Sequence, residues 1–184
     1  MPSVRNSTPD DIPALTRIYA HHVLHGTGSF ETEAPSEDEM ARRREEVLSR
    51  QLPYLVAEDA DGQVIGFAYA NWFKARPAYR FSAEDSIYVA DGQHGRGLGR
   101  LLMNALIKHC EAAGVRKLIA VIGDSRNAGS VGVHTAAGFS HIGTMQSVGW
   151  KFGRWLDIVM MEKTLGAGNT TEPIAPFAPY APAP

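Results

Sequence analysis

The residues with the most chemical content in this 184-residue chain lie in the run Ser86-Ile87-Tyr88-Val89-Ala90-Asp91-Gly92-Gln93-His94-Gly95-Arg96-Gly97-Leu98-Gly99-Arg100. Glycines at alternate positions between a strand-like run and a helical pattern let successive backbone N–H groups turn to one side. The helix N-terminus adds a positive dipole end, so the segment suits a pyrophosphate. No Gly-Lys-Ser/Thr follows, as a P-loop would require, and the glycines stand too close together for a dinucleotide fingerprint. A plain glycine-rich turn is the competing account, and the basic Arg96 and Arg100 favour the anion. Other reactive residue types lack a supporting pattern. His21 and His25 have an i, i+4 spacing but no acidic partner at ligand distance along the chain, so no metal is expected. Ser130 lacks the strand-to-elbow context of a hydrolase nucleophile, and Cys110 shows no sign of activation.

The elements that must position this loop can be read from periodicity. Asp10-Asp11-Ile12-Pro13 starts a helix that carries Ile12, Leu15, Ile18, Tyr19, His22 and Val23 at helical spacing. Ser36-Glu37-Asp38-Glu39 is a capping box for a second helix, whose charged run Arg42 to Glu46 reads as its solvated side. Gly26 to Pro35 is then a loop. Tyr54 to Glu58 and Val64 to Tyr69 flank Asp61-Gly62, a hairpin signal, and a further strand runs about Glu84 to Val89. Leu98, Leu101, Leu102, Ala105, Leu106 and His109 mark a helix that stops at Gly114, and Leu118 to Ile122 reads as a buried strand. A short helix from about Asn127 ends at Gly138, and Phe139 to Met145 and Trp155 to Met161 look like closing strands. The fold class is mixed α/β: a strongly twisted sheet with helices on both faces, as one domain over 1–165. From Gly166 the chain becomes a Pro/Ala-rich tail, with Pro173, Pro176, Pro179 and Pro182 at every third residue in a polyproline pattern.

His94-Gly95-Arg96-Gly97-Leu98-Gly99 resembles the signature of the GNAT acetyltransferase superfamily, Gln/Arg-x-x-Gly-x-Gly/Ala, with His94 at the first position. Asn127 to Phe139 is similar to a second superfamily segment, a helix that ends in Gly-Phe. The resemblance implies a CoA cleft where two central strands, near 84–89 and 118–122, diverge. It implies that Gly95, Arg96, Gly97, Leu98, Gly99 and Arg100 hold the pyrophosphate of acetyl-CoA. Pantetheine would pair with the backbone of Ile87, Tyr88 and Val89, and Asn127 and Ser130 would contact CoA. Many members place a tyrosine four residues before that glycine to protonate the departing thiolate; here the position is His134, a candidate general acid and CoA contact.

The chain further resembles the phosphinothricin and methionine sulfoximine (or sulfone) N-acetyltransferases within that superfamily. Four segments carry the likeness: Thr27 to Glu33, Trp72 to Arg80, Glu84 to Val89 and Gly149 to Asp157. Such enzymes acetylate the α-amino group of glutamate analogues, which implies detoxification and herbicide resistance as roles. Lys74, Arg76 and Arg80, with Tyr79 among them, would bind a carboxylate and a second polar or anionic head. Phe30 would supply an apolar wall. Glu84, three residues before the pantetheine-pairing positions, is the candidate base for the substrate amine; a carboxylate balancing Arg76 or Arg80 is a compatible alternative. Direct transfer with an oxyanion held by the N–H near Val89 is the expected mechanism. Another amine, such as a protein N-terminus or an aminoglycoside, and a non-catalytic CoA-binding sensor are the rivals.

Whole-chain properties bound the partners. A formal charge of -2 gives no general pull toward nucleic acid or anionic lipid. Cys110, the one cysteine, excludes an internal disulfide, and no apolar run is long enough to span a bilayer. With no signal-peptide run at the first residues, a cytoplasmic location is expected. Related enzymes are dimers, so a homodimer is expected as well, with Trp150 and Trp155 as candidate interface aromatics.

Overall fold

The computed structural model describes residues 1–174. The tail prolines at 176, 179 and 182 lie outside the described residues. Thr8 and Asp11 form a capping box over a 3-10 turn that leads into α1 (Ile12–His25). The Ser36 hydroxyl accepts the Glu39 amide at 3.2 Å and starts α2 (Glu37–Ser49), as the capping box requires. Asp61-Gly62 turns β2 (Tyr54–Glu58) into β3 (Val64–Trp72), with Gly62 at φ 76° and the Asp59 amide donating to Gln63 O at 3.0 Å. There follow β4 (Ser82–Val89), α3 (Leu98–Ala112), β5 (Lys117–Gly123) and α4 (Ala128–Ala136).

A strand at the start, β1 (Ser3–Asn6), and two long closing strands, β6 (Ser140–Lys151) and β7 (Arg154–Thr164), complete a seven-stranded sheet. The order is β1-β2-β3-β4-β5-β7-β6, and every neighbouring pair is antiparallel except β4 with β5. Helices cover both faces. On one, α1 packs with α2, and Tyr19 meets Tyr88 of β4 edge-on at 4.9 Å between ring centroids. On the other, α3 packs with α4, and Leu102 of α3 lies over Gly66. Period-2 alternation therefore assigns Phe67, Tyr69, Glu84, Ser86 and Tyr88 to the α1/α2 side, and Ala68, Asp85, Ile87 and Val89 to the α3/α4 side.

Three readings from the sequence need adjustment. The strand Ser3–Asn6 was not foreseen: four residues with half of their pattern exposed carry little periodic signal, and its partner β2 lies far along the chain. The closing hairpin is longer than Phe139 to Met145 and Trp155 to Met161, because β6 is an exposed edge whose side chains need no apolar alternation. The charged run of α2 is not wholly solvated. Arg44 is buried and donates to the Ser7 carbonyl at 2.8 Å and to the Ser7 hydroxyl at 2.9 Å, which ties α2 to the first strand.

Leu102, fully buried between α3 and the sheet, tests this packing. Leu102→Ala is expected to cost about 2–5 kcal/mol, read as a lower denaturant midpoint with an unchanged m-value.

Candidate active site

Strands β4 and β5 are joined over three register pairs, Ser82↔Lys117, Ala83↔Leu118 and Glu84↔Ile119, and then part. β5 continues alongside β7 as far as Gly123↔Ile158, so beyond residue 84 the two central strands diverge. The opening is a cleft of about 1120 Å³. Its walls also include the α1–α2 loop, the glycine loop before α3 and the start of α4.

The ladder phase shows which backbone groups of β4 face this opening. The Ala90 amide donates to Ile65 O at 2.9 Å. Opposed residues in an antiparallel pair alternate between exchanging and not exchanging hydrogen bonds. Counting back from Ala90, Tyr88 is bonded to Phe67, while the N–H groups of Ile87 and Val89 turn away from β3, toward the parted side. Of the three positions expected to offer backbone to pantetheine, Ile87 and Val89 have an N–H turned to the gap, the Val89 carbonyl is bonded to His22 Nε2 at 2.8 Å, and Tyr88 is committed to the sheet.

At one end of the cleft, Gly95 and Gly97 have φ of 74° and 80°, a region that L side chains rarely adopt. Gly97 is the N-cap of α3, and the helix closes first with Leu101 N donating to Gly97 O at 3.0 Å. The amides of the first helical turn, Leu98 to Arg100, therefore have no partner within the helix and could hold an anion. Gly99 lines the cleft as well and packs against Val133 of α4. Leu98, Arg100, Asn127 and Ser130 line the same cleft. Arg96 does not: its guanidinium is exposed and donates to Gln93 Oε1. Arg126, passed over in the sequence, does line it, one residue before the Asn127 side chain that caps α4 through Ser130 N.

At the other end stands Glu84, half-buried in the cleft wall. Burial, followed by the charge of Asp85, raises its carboxyl above the usual range, and Lys74 partly offsets this. Lys74 is thus the cation that acts on Glu84, in place of Arg76 or Arg80. Phe30 also lines the cleft, whereas Lys74, Arg76, Tyr79 and Arg80 do not. These four lie on the β3–β4 connection around the turn Pro77–Tyr79. Lys74 and Arg80 sit over the rings of Phe73 and Phe81, and no carboxylate within the described residues pairs with either.

His134 is buried, and both its ring nitrogens have partners within the protein. Nδ1 donates to Ser130 O at 2.7 Å, and Nε2 meets Asp85 Oδ2 at 2.8 Å. Burial alone would favour the neutral ring, but the Asp85 hydrogen bond and charge prevail and raise the imidazole pKa. With a carbonyl on Nδ1 and a carboxylate on Nε2, the ring is held as an imidazolium. The other Asp85 oxygen, Oδ1, is buried without a partner. Asp85 was not singled out from the sequence. The signal was there: adjacent strand residues face opposite layers, so a base at 84 toward one layer puts 85 beside α3 and α4. Among the described residues no group of three or more His, Cys, Asp or Glu could hold a metal ion.

A parted parallel pair, a glycine turn that opens a helix and a carboxylate beside the gap define an acyl-transfer cleft. The acetyltransferase (GNAT) domain family matches residues 4–160, and the chain belongs to that family. It is 52% identical over 171 residues to a phosphinothricin N-acetyltransferase from Alcaligenes faecalis, covering 93% of this chain and 86% of the relative. It is 40% identical over 169 residues to an L-methionine sulfoximine/L-methionine sulfone acetyltransferase from Pseudomonas paraeruginosa, covering 89% and 94%. The crystal structure of a phosphinothricin acetyltransferase from Sinorhizobium meliloti in complex with AcCoA superposes with a TM-score of 0.93 at 42% identity, covering 97% of this chain and 96% of that one.

The Asp85–His134 pair predicts how stability varies with pH. A raised folded pKa means the contribution is full below the ordinary histidine value of 6.5 and is lost as pH rises through the folded value. Unfolding free energies of the wild type should fall across that window, and Asp85→Asn should remove the fall. His134→Ala leaves a buried carboxylate and is expected to cost about 3–5 kcal/mol.

Proposed function

We propose that this chain transfers the acetyl group of acetyl-CoA directly to the α-amino group of a small glutamate-like amino acid, such as phosphinothricin, methionine sulfoximine or methionine sulfone. The observation that carries the reading is the single cleft that has the unpaired first-turn amides of α3 at one end and the half-buried Glu84 at the other. The named relatives support the same acceptor class. Acetylation of phosphinothricin would make herbicide resistance and detoxification its biological role.

In this reading the amides from Gly95 through Arg100 bind the CoA pyrophosphate, and Arg100 and Arg126 add charge. The outward N–H of Val89 pairs with pantetheine as with an added strand, while the Val89 carbonyl stays with His22 Nε2, and this brings the thioester to the gap toward Glu84. Lys74, Arg76 and Arg80, with Tyr79, on the β3–β4 connection outside the cleft lining, would receive the acceptor's carboxylate and its second head. Glu84 takes one proton from the substrate ammonium, and the freed lone pair attacks the thioester carbonyl. The N–H of Ile87, the outward-turned amide of β4 nearer Glu84, donates to the oxygen as charge develops there. The C–N bond forms as C–S breaks, the nitrogen releases a second proton, and the thiolate takes up one, with a net release of one proton. His134 carries the proton for the thiolate, and Asp85 keeps it charged. Delivery breaks one of the two hydrogen bonds that now hold the ring.

A thiol-release assay with acetyl-CoA tests this across α-amino acids, their sulfoximine, sulfone and phosphinate analogues, a peptide N-terminus and an aminoglycoside. Turnover confined to the glutamate-like amines is expected. Preference for the peptide or aminoglycoside would move the chain to another acceptor, and CoA binding without turnover would make it a sensor. Glu84→Gln should lower kcat by roughly 10²- to 10⁴-fold. The acid limb of wild-type kcat/KM should lie above the ordinary carboxylate value of 4.5.

We also infer a homodimer through the β6–β7 hairpin, in the cytoplasm as befits a lone unpaired cysteine. Trp150 and Trp155 are each 59% exposed and meet at 5.3 Å between ring centroids, with Ile142, Met145, Val148 and Phe152 exposed on the same hairpin. Such a patch favours burial against a second copy. Sedimentation of the wild type should give a dimer, and Trp150→Glu with Trp155→Glu a monomer.

A further inference from the structure

The α1–α2 loop, which forms one wall of the cleft from Gly26 to Glu31, is held from two directions. Tyr19 donates to Glu31 Oε1 at 2.8 Å, and Arg43 reaches the same carboxylate at 2.7 Å. From the far side of the sheet order, Lys151 at the end of β6 donates its ammonium to Gly26 O at 2.9 Å and Ser29 O at 2.8 Å. The lysine is buried, so these carbonyls replace water around a charge that has little other solvation.

Two residues earlier on the same face of β6 is Gly149. A β-carbon built there would overlap the Phe30 ring, and one on Gly123, at the end of β5, would fall 2.9 Å from the opposite ring edge. The Phe30 ring thus occupies a slot between two glycines. Gly123 is also crowded by the Thr27 carbonyl, whereas at Gly149 all three nearest atoms belong to the Phe30 ring. Gly149 does not have a positive φ, so its backbone is open to alanine. The ring is the first obstacle a side chain would meet there.

We propose that Gly149 determines acceptor specificity: its missing side chain creates the slot that draws the Phe30 ring back from the cleft, while Lys151 fixes the loop that carries the ring. Together they set the room left for the acceptor side chain opposite Glu84. This rests on the reading that the acceptor occupies the Glu84 end of the cleft. A methyl group at 149 displaces the ring toward the cleft it lines and excludes bulky acceptors without touching the CoA end.

The test is a double-mutant cycle in Gly149→Ala and Phe30→Leu, the leucine lacking the outer ring atoms that fill the slot. Gly149→Ala should raise KM for methionine sulfone about tenfold or more while KM for acetyl-CoA stays within about twofold. Adding Phe30→Leu should bring the acceptor KM back toward the value of Phe30→Leu alone. Equal changes in both KM values, or no recovery in the double variant, would overturn the proposal. Thermal unfolding supplies a readout that needs no acceptor: Gly149→Ala should lower Tm and the double variant should recover it. If Gly149→Ala does not fold, folding of the double variant supports the slot, and its failure sinks it. Turnover of none of the amines by the wild type would count against the acceptor reading, and the Tm cycle would still judge the slot.

Discussion

The departure of β5 from β4 after Glu84↔Ile119 is the constraint on which the other features depend. A parallel pair that ran its full length would satisfy the backbone of Ile87 and Val89 and leave no opening. Because β5 instead follows β7, β4 keeps its pairing to β3 on one side and presents free N–H groups on the other. Those groups would be costly if buried without partners. The gap therefore stays wet or accepts a ligand whose amides can pair with a strand. The glycine loop follows directly on the free part of β4, so the unpaired amides of β4 and of the start of α3 lie along one continuous surface.

The same strand sets the electrostatics. Glu84 and Asp85 are adjacent in sequence and face opposite layers, so two carboxylates serve different surroundings. Glu84 has burial and a carboxylate neighbour, with Lys74 as a weak counterweight, and its pKa rises. Asp85 has His134, and the pair is closed to solvent on the α3/α4 side. Burying this pair is costly in desolvation, and its geometry repays that only while both members are ionised. An arrangement of this kind holds a proton close to the gap without exposing it.

Much of this was legible from residue order. The Asp61-Gly62 hairpin, the Ser36 cap and the helical stripe from Ile12 to Val23 rest on local rules, and each element formed where those rules put it. The glycine loop was legible for the same reason, since alternating glycines before a helix have few other uses. Lys151 and Gly149 were not legible as parts of the site. Their partners, Ser29 and Phe30, lie more than a hundred residues earlier, and no periodicity links them. Arg44 shows the converse failure: a charge within a charged run looks solvated until β1 and the Ser7 backbone are placed beside it.

The sequence by itself determined the elements, the glycine turn before α3 and the residue types available for acyl transfer, because backbone conformation and side-chain chemistry are set within a few positions. Only the tertiary structure decided which of those residues share a cleft. It left Arg96 outside and brought Arg126 in, gave His134 the partner Asp85, and seated Phe30 between glycines from two strands. Those outcomes follow from strand register and from where two strands part, and both are properties of pairing between distant segments.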